Sequence, residues 1–83
     1  MNLLYFAWVR QKIGKSEERI TLPAGIANVD GLVVHLKSLG PAYADAFENI
    51  ARLRVAVNQR HTNFDAAIVD GDEVAFFPPV TGG

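Results

Sequence analysis

The sequence contains no cysteine. That absence removes disulfide staples, thiolate-bound metals and every reaction that needs a protein thiol. It also fits a reducing compartment. Positive charge is not in surplus: eight basic residues stand against nine acidic ones, for a net charge of −1. A protein that grips nucleic acid through its phosphates needs a basic excess. Long apolar runs are missing too. The longest, Leu3 to Val9, falls far short of a membrane span. The start, Met1-Asn2-Leu3, lacks the positive charge and small-residue cleavage site of a secretory signal. Neither nucleic acid nor a membrane is an expected partner, and a cytoplasmic location is expected.

Several side-chain chemistries are incomplete. Gly14-Lys15-Ser16 resembles the end of a phosphate loop, but the motif needs a glycine at position 9, which is Val9. His35 and His61 have no metal-ligand spacing, so no metal is expected. Asp65, Asp70, Asp72 and Glu73 do not match the twelve-position calcium loop and read as solvated turns. Ser16, Ser38 and the threonines have no histidine near them in sequence.

What is present suits one small domain. The 83 residues are 49% hydrophobic, with five Phe, two Tyr and one Trp, so a domain of this size must rely on its core. Leu3 to Arg10 reads as a first strand with apolar residues on both faces, covered on both sides or covered on one and open to a partner. Gln11 to Ser16 reads as a turn about Gly14, and Glu17 to Leu22 as a second, half-exposed strand closing a hairpin. Val29, Leu32, Val33 and Leu36 mark one face of a helix. Asn28 is its expected N-cap, Asp30 suits its positive end, and Gly40 is the expected left-handed C-cap ahead of Pro41. Gly31 weakens that helix by about 1 kcal/mol relative to Ala, which a close packing contact would explain.

Tyr43, Phe47 and Ile50 predict a second, short helix. Leu53, Val55 and Val57 alternate as a third strand, His61 to Phe64 predicts a short edge strand, and Asp70-Gly71-Asp72 is a tight-turn signal. Glu73 to Phe77 is the last strand, ended by Pro78-Pro79, which offer no N–H to a ladder. A hairpin, a helix and further strands is the β-grasp order. The expected fold is therefore α+β: a mixed sheet of four to five strands on one main helix. Residues 1–79 form the domain and 80–83 a flexible tail. A ferredoxin-like split βαβ is the competing order, but Thr62 to Asp70 is too short and turn-rich for the second helix it needs.

The chemistry-bearing feature is the end of the chain, Pro78-Pro79-Val80-Thr81-Gly82-Gly83. Gly82 and Gly83 carry no Cβ, so this tail passes a channel too narrow for other residues. What arrives at its tip is a free carboxylate. A carboxylate is a poor electrophile until ATP converts it to an acyl-adenylate. A sulfur nucleophile then displaces AMP and leaves a thiocarboxylate, a sulfur donor.

The run Asp70-Gly71-Asp72-Glu73-Val74-Ala75-Phe76-Phe77-Pro78-Pro79-Val80-Thr81-Gly82-Gly83 resembles the MoaD family, the small subunits of molybdopterin synthase. Leu4-Tyr5-Phe6-Ala7 with Arg10 and Gly14, and Val55-Ala56-Val57-Asn58-Gln59, are similar to it as well. The helical region 24–50 is the least diagnostic. The resemblance implies a ubiquitin-like β-grasp fold whose terminal glycine, here Gly83, is adenylated by a relative of ubiquitin-activating enzymes that consumes ATP. It implies a thiocarboxylate there, and entry of the tail into the synthase large subunit, which binds cyclic pyranopterin monophosphate. Sulfur then passes to that precursor to form the dithiolene. The synthase is typically a heterotetramer, with catalytic side chains on the large subunit. On this reading the chain binds no cofactor itself and is not an enzyme alone.

A carrier that changes partners needs an exposed apolar patch. The candidates are Phe6 or Trp8, Arg10, Phe76, Phe77, Pro78 and Pro79, with Val80, Thr81 and Gly82 as the tail. Other readings stay open: a thiamine-type carrier or ubiquitin-related modifier, an interaction module without sulfur chemistry, or a small enzyme built on His61 and the Asp cluster.

Overall fold

The structure, a computed structural model, describes residues 1–79. Strands β1 (Asn2–Tyr5), β2 (Glu17–Arg19), β3 (Arg54–Val57), β4 (Arg60–Thr62) and β5 (Glu73–Phe77) form one mixed sheet in the order β2-β1-β5-β3-β4. Helices α1 (Ala7–Ile13), α2 (Val29–Lys37) and α3 (Pro41–Ala46) accompany it, with a 3₁₀ turn at Ile50–Arg52. The parallel pair β1 and β5 lies at the centre, with Leu3 opposite Val74 and Tyr5 opposite Phe76. All four of these side chains are buried. They meet Val29, Leu32, Val33 and Leu36 of α2 in one core, as the i, i+3, i+4, i+7 spacing of α2 requires.

Asn28 caps α2 as expected: its Oδ1 accepts the Gly31 N–H at 2.8 Å. The helix start is also tied to the loop before β5, because the Val29 and Asp30 N–H groups donate to Ala66 and Phe64 carbonyls at 3.1 and 2.7 Å. Gly31 packs closely here, since a Cβ would come 3.3 Å from both Asn28 Oδ1 and Ile26 Cγ2.

Four expectations are corrected. The edge strand β4 runs Arg60–Thr62 and not His61 to Phe64, whose last two residues leave the ladder for a turn. The first strand ends at Tyr5, not Arg10. Phe6 is extended, Ala7 turns the chain at φ +53°, and Val9 and Ile13, four apart, bury the inner side of α1. Gly14, at φ +87°, closes that helix by donating its N–H to the Arg10 carbonyl at 2.7 Å. β1 and β2 are therefore antiparallel partners joined through a helix and not a tight hairpin, and β2 stops at Arg19. Gly40 is not the C-cap of α2. Ser38 ends that helix in ordinary right-handed geometry, and Gly40 instead precedes Pro41 at the start of α3.

Candidate functional site

Strand alternation sends every second residue away from the helices. On that open face Leu4 lies opposite Ala75, Ala75 opposite Ala56, and Ala56 opposite His61. One row of mostly small apolar side chains thus crosses four strands. Phe77, opposite Arg54, stands beside the row, and its ring centroid is 5.2 Å from that of His61. Ala56 is buried yet belongs to no part of the main core, as expected for a residue shielded only by its sheet neighbours. Phe6 continues the alternation beyond Tyr5 and leaves 48% of its surface exposed.

Parallel pairing fixes what stands at the end of this face. Because β1 and β5 run the same way, Phe6 and Trp8 leave β1 at the edge where Phe77, Pro78 and Pro79 leave β5. The Phe6 N–H donates to the Phe76 carbonyl at 3.1 Å and locks the two exits together. A groove of about 360 Å³ beside this edge is lined by Trp8, Ala51, Arg52, Pro78 and Pro79. The root of the tail therefore leaves the domain between an open apolar face and an indole-lined groove. Arg10 is exposed on α1, one helical turn from Phe6.

The partner-binding expectation holds a correction. Phe76 is fully buried. Its ring packs edge-on against Phe47 at 4.9 Å and stacks with Tyr5 and Phe64. It points inward because it is in phase with Val74, so only its neighbour Phe77 reaches the open face. The expected reactive tail, Val80, Thr81, Gly82 and Gly83, lies outside the described residues.

The acidic cluster before β5 has a structural task. Asp70 Oδ1 accepts the Leu22 N–H at 3.1 Å and faces the Met1 ammonium at 3.4 Å. Those partners hold its carboxyl below the usual range. Asp72 accepts from Asn58 Nδ2 and the Val69 N–H at 3.0 and 2.9 Å, with the same effect. Among the described residues no group of three or more metal-ligating side chains converges, and no helix is long and apolar enough to cross a membrane.

Sequence reasoning missed one polar assembly. Tyr5 and Tyr43 hydroxyls both donate to Glu18 Oε2 at 2.8 Å, and Lys15 Nζ reaches Glu18 Oε1 at 3.3 Å. The signal was the inward phase of Glu18, opposite Leu3 in the β1–β2 register. It joins the sheet edge to α3 on the side away from the open face.

A mixed β-grasp sheet with an open apolar face at the root of a Gly-Gly terminus is the architecture of ubiquitin-like carrier domains. The ThiS family model matches residues 3–83, and the chain belongs to that family. A relative from Escherichia coli (strain K12), "Molybdopterin synthase sulfur carrier subunit", is 41% identical over 83 residues, covering 100% of this chain and 99% of that one. Among solved structures, a Pyrococcus furiosus protein titled "Putative molybdopterin converting factor, subunit 1" superposes with TM-score 0.75 at 35% identity, over 95% of each chain. The SAMP1 protein of Haloferax volcanii gives 0.74 at 27% identity, over 100% of this chain and 98% of that one.

Proposed function

We propose that this chain is the sulfur-carrier small subunit of molybdopterin synthase. The observation that carries the reading is the full-length likeness to carrier subunits of that enzyme, in a sequence that ends in Gly82-Gly83, separated by four residues from the end of β5 at Phe77. A ubiquitin-activating-type partner transfers AMP from ATP to the Gly83 carboxylate and releases pyrophosphate. A sulfur nucleophile expels AMP and leaves the thiocarboxylate. The open face and the tail root then seat on the synthase large subunit, and the tail presents sulfur to cyclic pyranopterin monophosphate. Each carrier delivers one sulfur, and hydrolysis returns Gly83 to its carboxylate, so a dithiolene consumes two charged carriers.

The domain supplies no reacting side chain on this reading. It binds the partners through Phe6, Phe77, Pro78 and Pro79, with Arg10 at the margin. The fold likeness to an archaeal modifier protein supports a second reading, conjugation through the same glycine. Intact-mass measurement after incubation with an activating enzyme, ATP and a sulfur source separates the two. The expected product carries sulfur in place of one oxygen, and deletion of Gly83 abolishes it. Unchanged pterin sulfuration by a chain with a capped or extended terminus would overturn the proposal.

A further inference from the structure

Trp8, the only tryptophan of the chain, stands at the tail root without a task in the reading above. It is the second residue of α1 and is half-buried. The groove of about 360 Å³ beside the exit of β5 has Trp8, Ala51 and Arg52 on its walls together with Pro78 and Pro79. A second groove, of about 230 Å³, lies between α1 and α3 and is again walled by Trp8 and Arg52, with Lys12 and Asp45 beside them. The indole therefore separates the helix seam from the diproline.

This wall is anchored on several sides. Trp8 packs in part against the core, and its neighbour Val9 is fully buried. Lys12, one helical turn on, sets its Nζ 5.7 Å from the indole centroid. That same Nζ pairs with Asp45 Oδ2 on α3 at 3.1 Å. The start of α1 is tied to β5 through the Phe6 N–H, which donates to the Phe76 carbonyl at 3.1 Å.

Across the groove the chain has little torsional freedom. Proline fixes its own φ near −65° and confines the residue before it to extended geometry. Those limits cover Phe77, Pro78 and the φ of Pro79, so the first free torsion is ψ of Pro79. We infer that Trp8 is a positioning residue for the tail. Its indole bars rotations about that bond that would carry the chain over α1, and so turns the residues beyond Pro79 toward the open face. Restricting the tail before it meets a partner lowers the ordering cost of docking. What the tail then does rests on the carrier reading; its direction does not.

The test uses the full-length chain. Because cysteine is absent, Lys37→Cys and Thr81→Cys give a unique spin-label pair between the exposed end of α2 and the tail. Trp8→Leu, which keeps apolar cover on α1, and Trp8→Ala are expected to broaden the distance distribution, while Trp8→Phe keeps it near the wild-type width. Urea unfolding of the same proteins verifies the fold. In unlabelled, thiocarboxylated chains, KM with the large subunit should rise about tenfold in Trp8→Leu with kcat near wild type, and Trp8→Phe should recover it. A merely structural role would lower the urea midpoint and leave the width unchanged. An unchanged width in Trp8→Leu overturns the inference, and so does a KM equal to that of wild type. Absence of sulfur transfer by the wild-type chain overturns the carrier reading instead, and the distance measurement still decides whether Trp8 directs the tail.

Discussion

Glu18 shows how a single residue can hold two elements together. Only 15% of its side chain is exposed, and its carboxylate accepts from two phenols and an ammonium. Burial pushes the carboxyl up, but the hydroxyls of Tyr43 and Tyr5 and the Lys15 ammonium outweigh it and hold it below the usual range. Burial, with Glu18 beside it, pushes the Tyr5 phenol up, so it stays a donor. Replacing Glu18 with Leu strands the Tyr5 hydroxyl, and a lost hydrogen bond to a charged group costs about 2 kcal/mol. The urea midpoint of Glu18→Leu should fall accordingly, and Tyr5→Phe should recover part of the loss in that background. The carboxyl is depressed in the folded state. Its stabilisation is therefore present above the unfolded value and fades as pH falls through the folded one, which lies lower. Asp70 and Asp72 act in the same direction, so the difference between wild type and Glu18→Leu isolates Glu18. An equal acid dependence in the two proteins would refute its role.

At the scale of elements, the corner between β1 and α1 decides where the open face ends. Ala7 occupies the left-handed region at φ +53°, which costs a non-glycine residue about 1 kcal/mol or more. Ala7→Gly should therefore raise stability by up to about 1 kcal/mol, and Ala7→Val should lower it by more, because β-branching worsens the strain. Thermal unfolding of the two variants checks the order. This corner was also the least legible part of the sequence. Val9 is in phase with Leu3 and Tyr5 at period two and with Ile13 at period four, so alternation alone prolonged the strand. The Val9–Ile13 spacing followed by Gly14 was the overlooked helix signal. Elsewhere the periodicity had one solution. Val29 to Leu36 lies within α2, Glu73 to Phe77 forms β5, and Asp70-Gly71-Asp72 turns between loop and strand, all as their patterns require. The open face was only half legible. Alternation separates Phe76 from Phe77, but which side meets the helices depends on long-range pairing with β1 and β3, and no local pattern encodes that.

At the scale of the molecule, that separation divides labour across one sheet. The helix-side face supplies a domain of this size with nearly all its core, and the opposite face stays open; on the proposed reading it is the face that meets the partner. The adjacent residues Phe76 and Phe77 are the sharpest probe of this division. Phe76 is fully enclosed and touches the rings of Tyr5, Phe47 and Phe64. Its truncation to Ala removes a large side chain from a closed core, at a cost of about 3–5 kcal/mol. A chain of this length has on the order of 4–12 kcal/mol in total, so Phe76→Ala should unfold near ambient temperature and lose sulfur transfer only because it unfolds. Phe77→Ala leaves the core intact. Its unfolding midpoint should stay within about 1 kcal/mol of wild type. Its affinity for the large subunit should fall at least tenfold, because a buried aromatic anchor at an interface is commonly worth 2 kcal/mol or more. Chemical denaturation and binding titration on the same two proteins give four numbers. The division of faces requires Phe76→Ala to fail in the first measurement and Phe77→Ala in the second. A Phe77→Ala protein that is destabilised as severely as Phe76→Ala, or that binds as tightly as wild type, would mean that the open face is not where the partner sits.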